Sequence, residues 1–302
     1  MNFQDKSAFI SIIGRPNAGK SSLLNRMLGQ KIAIVSDKPQ TTRTRIMGVL
    51  TEGDHQLVFT DTPGMHKPKT SLGNYMVRSV KESVSSADAC LLVVEAGREP
   101  DETEKMLIER VISMGIPAVL AINKTDLLKQ KEELMHLILT YSAMFDFEAI
   151  VPISARTGDG VPALIEELKK LTAEGGHFFE EDTLTDQSER VLASEMIREK
   201  LLRNLDKEIP HGTAVIVEKM KQRDNGILDV DATIYCERDS HKGIIIGKGG
   251  KMLKKVSTTA REDMERFFDC KVNLQTWVKV REDWRNREGI MRSLGFSEKD
   301  FE

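Results

Sequence analysis

Residues 14–21 read Gly14-Arg15-Pro16-Asn17-Ala18-Gly19-Lys20-Ser21 and satisfy the pattern G-x-x-x-x-G-K-[ST]. The stretch follows the apolar run Phe9-Ile10-Ser11-Ile12-Ile13 and precedes a helix-like segment that starts near Lys20. In such a loop the glycines let backbone N–H groups close around phosphates, and the helix N-terminus adds a partial positive charge. The pattern and its context predict a binding loop for a nucleoside triphosphate.

The rest of the first half alternates between β-rich and helix-like stretches. Short apolar runs recur at residues 56–60, 89–94 and 118–122, and amphipathic segments start near Tyr75, Asp101, Leu127 and Val161. Strands that are buried on both faces of a parallel sheet have this composition. The alternation predicts an α/β fold in which helices cover both faces of a mostly parallel sheet.

Length and composition set the broad class. At roughly 150 residues per domain, 302 residues suffice for two domains. The formal net charge of -3 excludes a chain that is basic overall, so any basic face must be local. The three cysteines are far apart and lack C-x-x-C spacing, which disfavours a disulfide framework or a zinc site. With neither a secretory signal nor a membrane-length apolar run, the cytoplasm is the expected compartment.

Within the phosphate loop, Lys20 is expected to reach the β- and γ-phosphates and the Ser21 hydroxyl to ligate Mg²⁺. We expect Lys20 to be catalytic as well. The residues predicted to contact the nucleotide through this loop are Gly14, Arg15, Pro16, Asn17, Ala18, Gly19, Lys20, Ser21 and Ser22.

A second motif decides which base is bound. Asn123-Lys124-Thr125-Asp126 follows a buried strand, and the Asp126 carboxylate there can accept hydrogen bonds from the ring N–H and exocyclic amine of guanine. Adenine would leave that carboxylate unpaired, which predicts GTP rather than ATP. Lys124 would lie along the base. Ser154 and Ala155 follow another strand-like run, and we expect a backbone N–H there to reach the guanine oxygen.

Two further loops are expected to sense the γ-phosphate. Asp61-Thr62-Pro63-Gly64 would hold Mg²⁺ through water with Asp61 and contact the γ-phosphate with the Gly64 N–H. In Gln40-Thr41-Thr42-Arg43-Thr44, one threonine hydroxyl would complete the metal coordination while GTP is bound. We choose Thr42, with Thr41 and Thr44 as the alternatives, and expect Thr42 and Gly64 to take part in catalysis.

The second half has a different organisation. Glu174-Gly175-Gly176 and the acidic residues after it predict a linker over 174–187, between a first domain of residues 1–173 and a second of residues 188–302. An amphipathic helix, two strand-like runs around Asp224-Asn225-Gly226, a glycine-interrupted stretch, a helix and a last strand follow. The order is α-β-β-α-α-β, which predicts an α+β domain.

That glycine-interrupted stretch predicts an RNA-binding loop. Gly247-Lys248-Gly249-Gly250 is G-x-x-G between an apolar run and a helix, where glycine lets an RNA backbone pass without meeting a Cβ. Residues 240–261 hold six Lys and Arg residues and no carboxylate. The residues expected to bind RNA are Ile246, Gly247, Lys248, Gly249, Gly250, Lys251, Lys254 and Lys255.

These motifs carry a resemblance. The five nucleotide stretches resemble those of translation-factor-class GTPases, the α-β-β-α-α-β domain resembles a type II KH domain, and residues 7 to 300 are similar to the Era family of bacterial ribosome-assembly GTPases. The resemblance implies Mg²⁺-dependent hydrolysis of GTP to GDP and phosphate. It also implies binding of the 3′ end of small-subunit (16S) ribosomal RNA during 30S assembly and maturation.

The resemblance carries further expectations about chemistry and location. Met65 stands where Ras-like enzymes carry the glutamine that orients the attacking water, so another means of stabilising the transition state is implied. In related GTPases the asparagine at the position of Asn17 helps to hold K⁺. His66 is not assigned a catalytic role. A monomer with weak peripheral contact at the inner face of the cell membrane is also expected.

Two other functions compete with this one. A small-molecule or nucleoside kinase would use the same phosphate loop, but Asn123-Lys124-Thr125-Asp126 disfavours it. An RNA-binding scaffold with GTP as a structural ligand is the non-catalytic alternative.

Three packing expectations concern the second domain. Trp277 is expected in the core, and the environment of Trp284 is left open. The amphipathic helix of residues 189–205 is expected to pack on the sheet of the second domain rather than on a membrane.

Overall fold

The computed structural model describes residues 5–38, 41–63 and 70–296. The chain divides into two compact units. The second unit begins at Gln187 and also includes two short segments from earlier in the chain, Ile34–Thr41 and Pro68–Tyr75. The domain limits expected from the sequence, 1–173 and 188–302, remain predictions. The stretch expected to be a linker is hydrogen bonded to the first unit, since Val49 N–H donates to the carbonyl of Leu184 (2.9 Å).

The elements up to Asp186 alternate between strands and helices along the chain, except that the second and third strands are consecutive. In order they are β1 (Lys6–Gly14), α1 (Lys20–Leu28), β2 (Ile46–Glu52), β3 (His55–Asp61), α2 (Ser71–Ser85), β4 (Ala89–Glu95), α3 (Glu102–Met114), β5 (Ala118–Asn123), α4 (Lys131–Ser142), β6 (Ala149–Pro152), α5 (Val161–Lys169) and β7 (Ala173–Glu174).

The strands form one seven-stranded sheet in the order β2-β3-β1-β4-β5-β6, and β7 pairs with β1. All pairs are parallel except β2 with β3 and β7 with β1. The order reverses at β1, which lies between β3 and β4. Ligands of open α/β sheets bind at the carboxyl ends of the strands beside such a reversal. The loop after β1 therefore occupies the position where this fold binds ligands.

Both faces of the sheet are covered. Along β4, Cys90 and Leu92 pack in one cluster with α3 and α4, while the intervening Leu91 and Val93 point to the opposite face and are equally buried. This burial explains the continuous apolar runs and confirms the predicted α/β class. The sequence reading missed β2, which has a shorter and more mixed apolar pattern than the central strands.

The second unit contains the predicted α-β-β-α-α-β order followed by a short helix. Its elements are α6 (Glu189–Asn204), β8 (Ala214–Gln222), β9 (Leu228–Cys236), α7 (Asp239–Ile246), α8 (Lys251–Phe268), β10 (Val272–Val280) and α9 (Glu288–Ser293). The sheet has the order β10-β9-β8, with β9 and β10 parallel and β8 and β9 antiparallel. Its core joins α6 and α8 to alternate residues of β9. This packing of α6 confirms the expectation for residues 189–205.

The two tryptophans differ in environment. The expectation that Trp277 lies in the core is wrong: its side chain is 43% exposed, because along β10 it alternates with the buried Val278. Trp284 is fully buried, and its indole Nε1–H donates to the carbonyl of Gly212 (2.9 Å). Trp284 also stacks on the ring of Phe296.

All three cysteines are free thiols, and Cys90 and Cys236 are buried. Burial raises the pKa of both thiols.

Among the described residues, no helix has both the length and the apolarity needed to cross a bilayer.

Trp284→Phe is expected to lower the free energy of unfolding by about 1–3 kcal/mol, since it removes the indole donor from a buried carbonyl. Trp277→Phe is the matched control, and its exposed site predicts a change within about 0.5 kcal/mol. Both tryptophans lie in the second unit, so guanidinium denaturation followed by the fluorescence of the remaining tryptophan reports on that unit. Equal losses in the two variants would contradict the assignment.

Candidate functional site

The phosphate loop connects β1 to α1, and two of its glycines are required by close contacts. A Cβ on Gly14 would lie 2.3 Å from the carbonyl oxygen of Val93, and a Cβ on Gly19 would lie 2.2 Å from Nδ2 of Asn123. Gly19 also has a φ of 99°, in the left-handed region that disfavours side chains. The loop thus packs directly on the neighbouring strands, with the other predicted contact residues, Pro16, Ala18 and Ser22, in or beside it.

Lys20 is buried at the base of this loop. Its Nζ donates to the carbonyls of Gly14 (3.1 Å) and Arg15 (2.9 Å). Burial lowers the pKa of Lys20, and the nearby Asp61 carboxylate opposes that change. Arg15 itself pairs with Asp101, the N-cap of α3 (2.7 Å). Phosphate groups entering the loop would bring further negative charge close to the buried ammonium group of Lys20.

The three predicted metal ligands converge. Ser21 Oγ donates to Asp61 Oδ2 (2.6 Å) and lies 2.9 Å from Thr42 Oγ1. Of the three candidate threonines, Thr42 is therefore the one beside Ser21, whereas Thr41 Oγ1 donates to the carbonyl of Lys38 (2.6 Å). This geometry supports the choice of Thr42.

The Asp61 carboxylate fits a metal. It is fully buried, and among the described residues none donates a hydrogen bond to its Oδ1. Burial raises the pKa of Asp61, while Lys20 and the Ser21 hydroxyl lower it. Two hydroxyl oxygens and a carboxylate with an unused buried oxygen form a set of hard ligands that Mg²⁺ prefers.

The predicted base-binding residues form a second cluster. Asp126 accepts a hydrogen bond from Ser154 Oγ (2.6 Å) and pairs with Arg156 (2.6 Å). Lys124 has a φ of 67° and pairs with Glu95 (3.0 Å). The sequence reading missed Arg156 and Glu95, because no pattern joins either residue to the motif it contacts. Guanine donors would take the place of Arg156, whose side chain is largely exposed.

Asn123 joins the two clusters. Its Nδ2 donates to the carbonyl of Ala18 in the phosphate loop (2.8 Å), and its Oδ1 accepts from the Ala155 N–H (2.9 Å). The Ala155 N–H, which we expected to face the base, is thus bonded to Asn123. Four residues discussed from the sequence, Gln40, Gly64, Met65 and His66, lie outside the described residues.

The predicted RNA loop separates α7 from α8. Gly247 has a φ of 72°, and a Cβ there would lie 2.7 Å from Cβ of Met252. Gly249 and Gly250 also have positive φ, but a Cβ on either would meet no atom within 4 Å. Gly247 is therefore required by the fold of the loop itself, whereas the space over Gly249 is open to a ligand.

Cations surround this open loop. Lys248 and the three lysines at the start of α8 are exposed: Lys251, Lys254 and Lys255. Their i, i+3 and i+4 spacing places the α8 lysines on one face. The adjacent Ile246 is half-buried, and Ile244 is exposed. An apolar residue and several cations next to an open backbone suit single-stranded RNA, which offers both bases and phosphates.

Gly19→Ala is expected to weaken binding of a non-hydrolysable GTP analogue on the order of 100-fold, because the new methyl group displaces the loop from Asn123. Gly29→Ala is the matched control: φ is 68°, but no atom lies within 4 Å of the added Cβ. Calorimetry gives the Kd of each variant for the analogue. The comparison separates the effect of the contact with Asn123 from the effect of placing alanine at a positive φ. Equal weakening in the two would contradict the role of the contact.

Comparison with known proteins identifies both halves of the chain. A family model described as 50S ribosome-binding GTPase matches residues 9–124, and a KH domain model matches residues 208–285. The GTPase Era of Ruminiclostridium cellulolyticum is 50% identical over 291 residues, which cover 96% of this chain and 97% of that protein. The GTPase Era of Clostridioides difficile is 49% identical over 295 residues, which cover 97% and 99%.

A solved structure agrees over the same span. The crystal structure of Era in complex with MgGDPNP and nucleotides 1506–1542 of 16S ribosomal RNA superposes with a TM-score of 0.93 at 35% identity. The match covers 97% of this chain and 99% of that one. The predicted resemblance is therefore confirmed along nearly the whole chain, and the chain belongs to the Era family of GTPases.

Proposed function

We propose that this protein is a GTP-hydrolysing switch that binds the 3′ end of small-subunit ribosomal RNA through its KH domain and acts in assembly of the 30S subunit. The observation that carries the proposal is the convergence of Ser21, Thr42 and Asp61 beside the phosphate loop. A related structure that contains both MgGDPNP and a 16S ribosomal RNA fragment supports the pairing of nucleotide with RNA.

In this proposal the metal is Mg²⁺ and travels with the nucleotide. Ser21 and Thr42 would hold it directly, and Asp61 through water. When bound, Mg²⁺ neutralises charge on the β- and γ-phosphates. Lys20 would leave the carbonyls of Gly14 and Arg15 to contact the same phosphates. Because Thr42 lies in a loop between α1 and β2, its place beside Ser21 would depend on the γ-phosphate.

Guanine is the base proposed for the second cluster. The Asp126 carboxylate is held in place by Ser154, and Lys124 flanks the same strand end. Adenine does not present the ring N–H and exocyclic amine that guanine would donate to the Asp126 carboxylate, so an ATP-dependent kinase would gain nothing from this residue. The geometry around Asp126 therefore favours a guanine nucleotide switch over the kinase alternative.

The proposal includes K⁺ as a cofactor of hydrolysis. Asn17 is exposed at the tip of the phosphate loop, with a left-handed φ of 64°. A cation held there would neutralise charge that develops on the phosphates, the task of an arginine finger in other GTPases.

Replacing KCl by NaCl is expected to slow GTP hydrolysis about tenfold or more, since a cation that stabilises the transition state is lost. Phosphate release at saturating GTP measures the rate. Asn17→Ala should lower the rate in KCl to the NaCl value and have little effect in NaCl. Equal rates of the unmodified protein in the two salts would exclude K⁺ as a cofactor.

The KH half supplies RNA binding in this proposal. The RNA backbone would cross the open surface at Gly249, with Lys248 and Lys251 close to its phosphates. Contacts with phosphates release counterions, so affinity would fall steeply with salt. The bases would be read by neighbouring groups such as Ile246.

Gly249→Asp is expected to abolish the specific small-subunit RNA peak in a crosslinking and sequencing experiment, because it places a carboxylate where the RNA phosphates pass. Gly249→Ala is the matched control: it has the same positive φ and adds a Cβ in open space, but no charge. It should keep the peak. An unchanged profile in Gly249→Asp would remove this loop from RNA binding.

The remaining parts of the proposal concern location and assembly state. They are a monomer in the cytoplasm, with weak peripheral contact at the inner face of the cell membrane. The cytoplasm is proposed because the sequence shows neither a secretory signal nor a membrane-length apolar run, and the peripheral contact because of the family resemblance.

A further inference from the structure

Arg156 and the base proposed for the second cluster would use the same carboxylate. Arg156 Nη2 lies 2.6 Å from Oδ2 of Asp126, and Ser154 Oγ donates to Oδ1 of that carboxylate (2.6 Å). Ser154 is fully buried, whereas the side chain of Arg156 is 73% exposed. Ser154 therefore contacts Asp126 from the protein interior and Arg156 contacts it from the solvent side, where a base would enter.

The main chain of Arg156 is held by Arg26. Nε of Arg26 donates to the carbonyl of Ala155 (3.1 Å), and Nη2 of Arg26 donates to the carbonyl of Arg156 (2.5 Å). Within the same loop, the Ser154 N–H donates to the carbonyl of Asp159 (2.9 Å). Because these bonds fix the backbone, Arg156 can exchange its side-chain contact without a change in the main chain.

Asp126 is tied to the same loop. The N–H and the Oγ of its neighbour Thr125 both donate to the carbonyl of Ile153, at 3.2 and 2.9 Å. The backbone segments that carry Asp126 and Arg156 are therefore held to each other. The ion pair between them needs no movement of another element, so it would form whenever no other donor occupies Oδ2 of Asp126.

The guanidinium group of Arg156 offers the same type of donor as guanine. Arginine presents planar N–H groups that fit a carboxylate, and guanine would present a ring N–H and an exocyclic amine. A guanine that displaces Arg156 therefore gains only the difference between its own hydrogen bonds to Asp126 and those of the ion pair. The contact with Arg156 thus reduces the free energy that guanine gains from Asp126.

The two sets of donors exclude each other. With Arg156 in contact, only 12% of the Asp126 side chain is exposed. That remainder leaves too little room for the edge of a base beside the guanidinium group. A base must therefore wait for Arg156 to leave, and the observed affinity of a ligand falls with the fraction of protein that is not ready to bind it.

We propose that Arg156 is an intramolecular competitor for the base site and lowers the affinity of this protein for guanine nucleotides. The competition concerns the base alone, so it acts equally on GDP and GTP. At a given association rate, weaker binding means faster release of GDP. This inference rests on the proposed function.

Calorimetry on the full chain with Mg²⁺ gives the Kd for GDP and for GDPNP. In Arg156→Met both nucleotides should bind about two- to fivefold more tightly, the range that an exposed ion pair provides. The factor should be the same for both, because they carry the same base. Arg156→Lys keeps a cation but not the planar fork, and should show a smaller increase in affinity.

The direction of the effect separates competition from other causes. Damage to the fold would weaken binding, and so would the loss of a cation near an anionic ligand. Arg110→Met removes an exposed arginine from α3 in the same unit, and as the matched control it should leave both Kd values unchanged. Because salt screens an exposed ion pair, the difference between Arg156→Met and the unmodified protein should shrink when KCl rises from about 0.1 to about 1 M.

The outcomes distinguish this inference from the proposed function. Equal or weaker binding of GDP in Arg156→Met would overturn the competition while leaving guanine binding intact. Equally tightened binding in Arg110→Met, or a difference that persists at high salt, would overturn it as well. Failure of the unmodified protein to prefer GDP to ADP would overturn the proposed function together with this inference.

Discussion

The side-chain amide of Asn123 is the constraint on which the nucleotide site depends. Its one donor group reaches the carbonyl of Ala18 in the phosphate loop, and its oxygen accepts from the Ala155 N–H. A carboxylate at this position could not donate, and an apolar side chain would leave two buried backbone groups unpaired. The amide therefore fixes the distance between the loop proposed to hold the phosphates and the loop proposed to meet the base.

Much of this site could be predicted from the sequence because most of its residues lie in short continuous motifs. The phosphate loop and the motif that begins at Asn123 are each a short run at the end of a buried strand, and strand ends meet at one edge of a parallel sheet. Three threonines share the loop of Thr42, so the sequence pattern does not choose among them, and the proximity of Thr42 to Ser21 supports the choice. Arg156 was missed because its contact with Asp126 depends on how two loops fold, which no spacing encodes.

Burial in the second unit shows where sequence patterns fail. Trp277 has apolar and uncharged neighbours in the sequence and Trp284 has charged ones, yet Trp277 is half exposed and Trp284 is fully buried. The difference follows from alternation along β10 and from the carbonyl of Gly212, which lies 72 residues from Trp284 in the chain. The G-x-x-G pattern likewise does not reveal that Gly247 is needed by the loop and Gly249 leaves open space. Only the packed structure separates the two roles.

The buried charges between α6 and α8 pose a question that stability does not answer. Replacing a buried ion pair by apolar side chains of similar volume is often neutral or stabilising, so Glu199, Lys200 and Asp263 are weak contributors to folding. Their geometry differs from that of an apolar cluster, because Nζ of Lys200 bonds both to Glu199 in its own helix and to Asp263 in α8. Removing Lys200 alone would weaken the compensation of two buried carboxylates, which is strongly destabilising. The charges therefore favour one pairing of residues between α6 and α8, whereas apolar side chains of the same volume would tolerate several.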